Sequence, residues 1–106
     1  MQVDAGEHMT GRRTQYILLE YAAFHLMKRR ATLTSRQIVE ILCDAGCGYF
    51  APPVMVLGSK MRCWSYDRRS KDGAWSLNSR VKEPERPPKF PKCFDRHIDE
   101  KWPLNK

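Results

Sequence analysis

The sequences LTSRQIVEIL at residues 33–42 and AWSL at residues 74–77 decide the fold of this chain. In the first, Thr34 is a preferred N-cap residue, and Gln37 three positions later completes a capping box. Apolar residues then recur at helical spacing, and Gly46 is placed to adopt the left-handed conformation that ends many helices. These signals predict a helix that begins after Thr34 and stops before Gly46.

A further helix and a hairpin follow along the chain. Pro52-Pro53 suits a first helical turn, because a proline there loses no hydrogen bond. Alternating side chains in Cys63–Tyr66 and Ala74–Leu77 predict two antiparallel strands, with Asp67–Gly73 as their connecting tip. A long apolar segment over residues 12–30 predicts another helix before them, so the predicted order is three helices and then a hairpin.

Nineteen Lys and Arg residues against twelve Asp and Glu give the 106-residue chain a net charge of +7. Ten basic and four acidic residues lie between Lys28 and Arg80, so +6 of that charge falls within the predicted helices and hairpin. Such an excess favours polyanions such as DNA, RNA or an acidic membrane surface. No segment reaches the roughly 18 apolar residues of a membrane-spanning helix, and residues 1–10 do not resemble a secretion signal. We therefore expect a cytoplasmic protein, nucleoid-associated if it is bacterial, that does not insert into a membrane.

The length allows one domain with flanking segments. Residues 1–11 are polar and without pattern, which predicts a flexible lead-in, and residues 12–80 form the predicted domain. Four prolines lie between residues 84 and 91 among charged residues. Residues 81–106 are therefore predicted to form a Pro-rich charged tail, either extended or docked on the domain through Phe94–Trp102.

The sequences YILL at residues 16–19, TSRQIVEIL at 34–42 and GAWSL at 73–77 resemble the winged helix-turn-helix superfamily of transcriptional regulators. An apolar helix followed by a capped TSRQI helix is also similar to the small enterobacterial CaiF/GrlA-type activators. The resemblance spans about residues 12–78. It implies an α+β fold that is mostly helical, with three helices and a two-stranded wing, which the Pro-rich C-terminal extension follows. It also implies that residues 55–62 form the helix that reads DNA.

These features favour a DNA-binding regulator whose partner is duplex DNA and which needs no cofactor. A helix fits the major groove of B-DNA, and basic residues on a hairpin reach the backbone or the minor groove. The apolar surplus of helix one also offers a surface for a homodimer, through Tyr16, Tyr21 and Phe24. The candidate nucleic-acid-binding residues are Arg36, Met55, Ser59, Lys60, Arg62, Arg68, Arg69 and Lys71.

Two alternatives remain open at this point. Winged helices also serve as protein-interaction adaptors within larger assemblies, and the aromatic residues of the tail offer a surface for such a partner. The other alternative is RNA or single-strand binding by stacking on the hairpin aromatics Trp64, Tyr66 and Trp75. Packing of these three rings in the core is the more ordinary interpretation.

The sequence does not indicate an enzyme or a metal centre. It contains no Gly-rich phosphate loop, nucleophile elbow or close acid pair, and its three histidines have no evident catalytic partners. The closest cysteine pair is Cys43-x3-Cys47, which does not match the paired spacing of a zinc knuckle. We expect no catalytic residue, no metal ligand and four reduced thiols that are buried or incidental.

Overall fold

The computed structural model describes the backbone of residues 3–30, 32–68 and 71–103, and within these ranges the side chains from residue 13 onward. The fold is α+β and mostly helical. Its elements, in chain order, are α1 (Val3–Arg29), β1 (Thr32–Leu33), α2 (Ser35–Asp44), a 3-10 turn (Gly48–Phe50), α3 (Val54–Cys63), β2 (Asp67–Arg68), β3 (Trp75–Ser76) and α4 (Lys92–Lys101).

Helix α1 begins at Val3 and not at Arg12, so residues 3–11 of the predicted lead-in have helical backbone. The segment contains the strong helix formers Ala5, Glu7 and Met9, and adding a residue to an existing helix is easier than starting a new one. Farther along, α1 is buried on several sides. Its buried apolar residues are Leu18, Leu19, Ala22, Ala23, Phe24, Leu26 and Met27.

Helix α2 confirms the signals predicted at both of its ends. The Thr34 hydroxyl accepts a hydrogen bond from the Gln37 amide at 3.1 Å, and the Gln37 side chain accepts one from the Thr34 amide at 2.8 Å. At the other end Gly46 has a φ of +83°, and the Cys47 amide donates to the Leu42 carbonyl at 2.8 Å. This pattern is a Schellman motif, which satisfies carbonyls that the end of a helix leaves unpaired.

The hairpin begins later than predicted. Helix α3 continues to Cys63, and Ser65 ends it with a φ of +77°. The amides of Ser65 and Tyr66 donate to carbonyls of the last turn of α3, at 3.0 and 3.1 Å. The first hairpin strand is therefore Asp67–Arg68, and the predicted strand over Cys63–Tyr66 is wrong because those residues belong to the helix and its C-terminal cap.

A third strand completes a small antiparallel sheet of order β1-β3-β2, so the predicted two-stranded wing is corrected to a three-stranded sheet. In the central strand, Trp75 lies opposite Leu33 of β1 on one side and opposite Arg68 of β2 on the other. β1 has two residues and is too short to show the alternation by which a sequence reveals a strand. The sheet joins the hairpin to the segment that links α1 and α2.

The C-terminal extension leads into a fourth helix, where the prediction had three. Helix α4 buries Phe94 and Ile98, which lie four residues apart on one face, and Phe90 just before the helix is buried with them. Arg29 of α1 donates a hydrogen bond to Asp99 at 2.6 Å. The extension is thus part of the same hydrophobic core as α1, α2 and α3.

The aromatic residues of α1 that suggested a homodimer have partners within the chain. The ring of Tyr21 packs edge-on against that of Phe90, with centroids 4.7 Å apart, and its hydroxyl accepts a hydrogen bond from Arg86 at 3.2 Å. Phe24 is buried and Tyr16 is half-buried. Contacts within the chain therefore account for much of the apolar surface of Tyr21 and Phe24.

Candidate nucleic-acid interface

A groove of about 570 Å³ opens where the first turn of α2, helix α3 and the β2–β3 hairpin meet. Each of the three elements contributes one exposed arginine to it. Asp72 is the single acidic residue among the described residues that line this surface, which we call the arginine groove. The predicted site residues that line it are Arg36, Met55, Ser59, Arg62 and Arg68.

Helix α3 presents one stripe of side chains to the arginine groove. The stripe follows the spacing i, i+3, i+4 and i+7, and its members are Met55, Gly58, Ser59 and Arg62. Met55 is 85% exposed, which is unusual for a large apolar side chain. The opposite side of the helix packs into the core through Leu57 and Met61. The core face therefore fixes which α3 residues are available to a ligand.

The floor of the arginine groove is Trp75, which ties the hairpin to the start of α2. Its ring is 2% exposed, and its indole Nε1 donates a hydrogen bond to the Ser35 hydroxyl at 2.9 Å. A Cβ atom added at Gly58 would lie 3.6 Å from the same hydroxyl. Gly58 therefore faces the start of α2. These contacts set the positions of α2, α3 and β3 relative to one another.

Arg68 is positioned by the hairpin itself. It lies on strand β2 and not on the tip, and its guanidinium carbon is 5.5 Å from the centroid of the Trp75 ring. Gly73 has a φ of +83°, and a Cβ atom there would lie 3.0 Å from Nη2 of Arg68. Gly73 therefore allows the turn and also leaves room for the Arg68 side chain. Asp72 shapes the same turn, because its carboxylate accepts a hydrogen bond from the Ala74 amide at 3.3 Å.

The structure does not bring all the predicted site residues together. The ammonium group of half-buried Lys60 lies 4.2 Å from the centroid of the Tyr16 ring, so this residue faces α1 and not the arginine groove. Residues two apart on a helix point about 200° apart, which separates Lys60 from Arg62. Lys71 is exposed in the hairpin turn but does not line the groove. Arg69 lies outside the described residues.

Several residues of the arginine groove were not selected from the sequence. From the sequence, Ser35 is only part of a helix start, Trp75 is a strand residue and a stacking candidate, and Gly58 has no predicted role in a site. The signal that pointed to Gly58 is its place between Met55 and Ser59 in the exposed stripe of α3. The hydrogen bond between Ser35 and Trp75 joins residues 40 positions apart in the sequence, so no local pattern predicts it.

The hairpin aromatics pack in the core, as the more ordinary interpretation predicted. Tyr66 is 5% exposed, and Trp64 is half-buried against the same cluster that contains Trp75. Burial raises the pKa of the Tyr66 hydroxyl well above its usual value. Stacking on an unpaired base requires an open ring face. The alternative of single-strand binding through these rings therefore loses its structural basis for Tyr66 and Trp75.

No group of three or more His, Cys, Asp and Glu residues in the part of the chain that the structure describes is arranged to hold a metal ion. None of the helices there combines the length and apolarity needed to cross a membrane. Of the four cysteines, Cys47 is buried, whereas Cys43, Cys63 and Cys93 are exposed.

Comparisons with protein-family models, with curated proteins and with solved structures find no match. The functional proposal therefore rests on the residues and geometry of the arginine groove.

Proposed function

We propose that this chain is a DNA-binding transcriptional regulator with a winged helix-turn-helix fold. In this proposal α3 enters the major groove, and the β2–β3 hairpin contacts the backbone or the minor groove. The order of the helices and strands and the strand order β1-β3-β2 support the fold assignment. The observation that carries the function is the arginine groove, where Arg36, Arg62 and Arg68 converge from three elements.

Phosphate contacts supply most of the affinity in this proposal. The three groove arginines each suit a backbone phosphate, because a guanidinium is always charged and donates in a fixed fork. Each neutralised phosphate releases counterions and contributes about 0.9 to the dependence of log K on log salt. Three contacts therefore give a slope of about −2.7, which corresponds to modest, salt-sensitive binding.

Direct reading of bases falls to the exposed stripe of α3. The Ser59 hydroxyl both donates and accepts, so it pairs with the edge of any base. The Met55 side chain is apolar and suits the methyl group of thymine. With only these groups at the centre of the stripe, we expect modest sequence preference, with the backbone contacts fixing the register.

The test is fluorescence anisotropy with a random-sequence duplex over a salt series. The groove variant Arg36→Gln, Arg62→Gln, Arg68→Gln is compared with a control that carries the exposed substitutions Lys82→Gln, Lys92→Gln and Arg96→Gln. Both variants lower the net charge by three, so they differ only in where the charge is lost. The proposal predicts that the groove variant loses at least about tenfold in affinity and most of the salt slope, while the control loses little. Equal losses in both variants, or no loss in the groove variant, would overturn the proposal.

A protein-interaction adaptor is the second candidate, and one observation favours it. A cleft of about 450 Å³, whose lining is polar and apolar in nearly equal parts, is formed by Gln15, Tyr16, Phe50, Ala51, Pro52, Pro53 and Val56. The tail aromatics Phe90 and Phe94, which first suggested this role, are buried in the core, so a partner would use the cleft. An adaptor role predicts that the groove variant and its control bind duplex equally weakly.

A further inference from the structure

The turn after α2 and the first turn of α4 bring two thiols together. Cys47 is buried and Cys93 is exposed, and their Sγ atoms lie 3.8 Å apart although 46 positions separate them in the sequence. A Cβ atom added at Gly46 would also lie 3.9 Å from the Cys93 sulfur. The start of α4 therefore packs directly against the turn that ends α2.

We propose that Cys47 and Cys93 form a reversible disulfide in response to peroxide, which ties α4 to the C-terminal turn of α2. This inference goes beyond the proposed DNA-binding function and does not depend on it. The paired thiols form a modification site whose co-reactant is a hydroperoxide, with hydrogen peroxide as the simplest case. Disulfides of reducing compartments are usually transient and often sense oxidants.

The reaction balances with one peroxide for each disulfide. The thiolate of Cys93 attacks one peroxide oxygen, the O–O bond breaks, and the departing hydroxide takes up a proton to become water. Cys93 is then a sulfenic acid. The Cys47 sulfur attacks the Cys93 sulfur, forms the S–S bond and displaces a second hydroxide, which also leaves as water. The two thiols together lose two electrons and two protons, and the peroxide is reduced to two waters.

Exposure sets the order of these steps. The oxidant reaches exposed Cys93 first, whereas Cys47 is enclosed by the core. Burial, with a smaller contribution from the hydrogen bond to Cys93, raises the pKa of the Cys47 thiol to about 12. Cys47 is therefore inert toward peroxide on its own and acts as the resolving thiol, whose attack should speed up as the pH rises.

The movement needed to close the bond is small. Bonded sulfurs lie about 2.05 Å apart, so the two Sγ atoms must approach by roughly 1.8 Å. Rotation of the exposed Cys93 side chain about its χ1 bond is suited to such a shift, because its thiol is not enclosed by the core. Since no described cluster of three or more metal-binding side chains includes this pair, its arrangement is not explained by a metal site.

The disulfide would close a loop that contains α3 and the hairpin. A cross-link of this kind stabilises the folded chain by restricting the unfolded one. We therefore expect the oxidised form to melt at a temperature at least about 5 °C above that of the reduced form. Dithiothreitol should reverse the shift, because the thiol reductant exchanges with the disulfide.

The experiment treats the reduced full chain with hydrogen peroxide, then alkylates the remaining thiols and maps the peptides by mass spectrometry. The Cys43→Ser, Cys63→Ser variant keeps the proposed pair and removes the other two thiols, which are also exposed. The Cys93→Ser variant removes one member of the proposed pair. The proposal predicts an intramolecular Cys47–Cys93 cross-link and the rise in melting temperature in the first variant and in the unmodified chain. Neither should occur in Cys93→Ser.

Three results would overturn the inference. The first is oxidation of Cys93 to the sulfinic acid while Cys47 remains a free thiol, which alkylation of the unfolded chain detects. The second is a cross-link that uses Cys43 in place of either partner, and the third is a disulfide that forms only between two chains. The Cys47→Ser variant tests the order of the two steps, because without its resolving thiol Cys93 should remain a sulfenic acid that dimedone traps. Failure to trap a sulfenic acid at Cys93 in that variant contradicts the order.

Discussion

Replacing Arg62 by Gln should weaken duplex binding about eightfold at 0.1 M salt, whereas replacing Lys60 by Gln should leave it nearly unchanged. The two residues lie two positions apart on α3 and carry the same charge. Arg62 lines the arginine groove, while the Lys60 ammonium lies over the Tyr16 ring, 4.2 Å from its centroid. Comparing the two variants therefore tests whether binding depends on where the charge lies on α3 and not only on its presence there.

The magnitude follows from the counterions that one phosphate contact releases. A single contact adds about 0.9 to the salt slope, which is a factor of about eight in affinity at 0.1 M salt. Between 50 and 200 mM salt the unmodified chain should lose about 3.5-fold more affinity than Arg62→Gln does. Loss of the contact between Lys60 and Tyr16 should appear in thermal unfolding instead, as about 0.5–1 kcal/mol.

Anisotropy titrations at four salt concentrations, with each variant in parallel, measure both slopes. The reasoning is refuted if Lys60→Gln lowers the salt slope as much as Arg62→Gln does. It is also refuted if neither substitution changes the slope. In either case the face of α3 that lines the groove would have no special relation to the phosphate backbone.

Further predictions concern stability and the hairpin. Thr34→Ala should cost about 1 kcal/mol in urea unfolding, because it removes the cap of α2, whereas Ser65→Gly should stabilise by about 1 kcal/mol by relieving a left-handed φ. Gly73→Ala should destabilise by about 1–2 kcal/mol and also weaken duplex binding, since the new Cβ displaces Arg68. Burial lowers the pKa of His25 from 6.5, so the unfolded chain binds its proton more readily. The free energy of unfolding should therefore fall as the pH drops below about 6.5, and His25→Phe should flatten this dependence between pH 5 and 7.

The features of the fold that were predictable from the sequence are those that depend on residues close together in the chain. The capping box of α2 and the glycine at its end each occupy a few positions, and both behave as predicted. The end of α3 was missed because a serine, Ser65, adopts the left-handed conformation that a glycine usually marks. The alternation of Trp64 and Tyr66 therefore predicted a strand over Cys63–Tyr66. In the structure these two rings pack the C-terminal cap of α3 against the core.

Features that depend on distant residues were not predictable in the same way. Strand β1 exists because β3 pairs with it, and its two residues carry no pattern of their own. Helix α4 follows a run of prolines that dominates the composition of the extension, although the spacing of Phe94 and Ile98 is helical. In the candidate site, the predicted residues Arg62 and Arg68 line the same groove, whereas the position of Lys60 depends on how α1 crosses α3.

Titration of the isotope-labelled chain with a random-sequence duplex, followed in amide nuclear magnetic resonance spectra, tests the shared surface most directly. If the arginine groove binds duplex, the largest shifts should fall on residues 34–36, 54–62 and 71–75, with Arg68 among them. The amides of α4, at residues 92–101, should move little. Shifts concentrated on α4 or on the cleft residues Gln15, Tyr16, Phe50 and Ala51, or the absence of any saturable shift in low salt, would contradict the account.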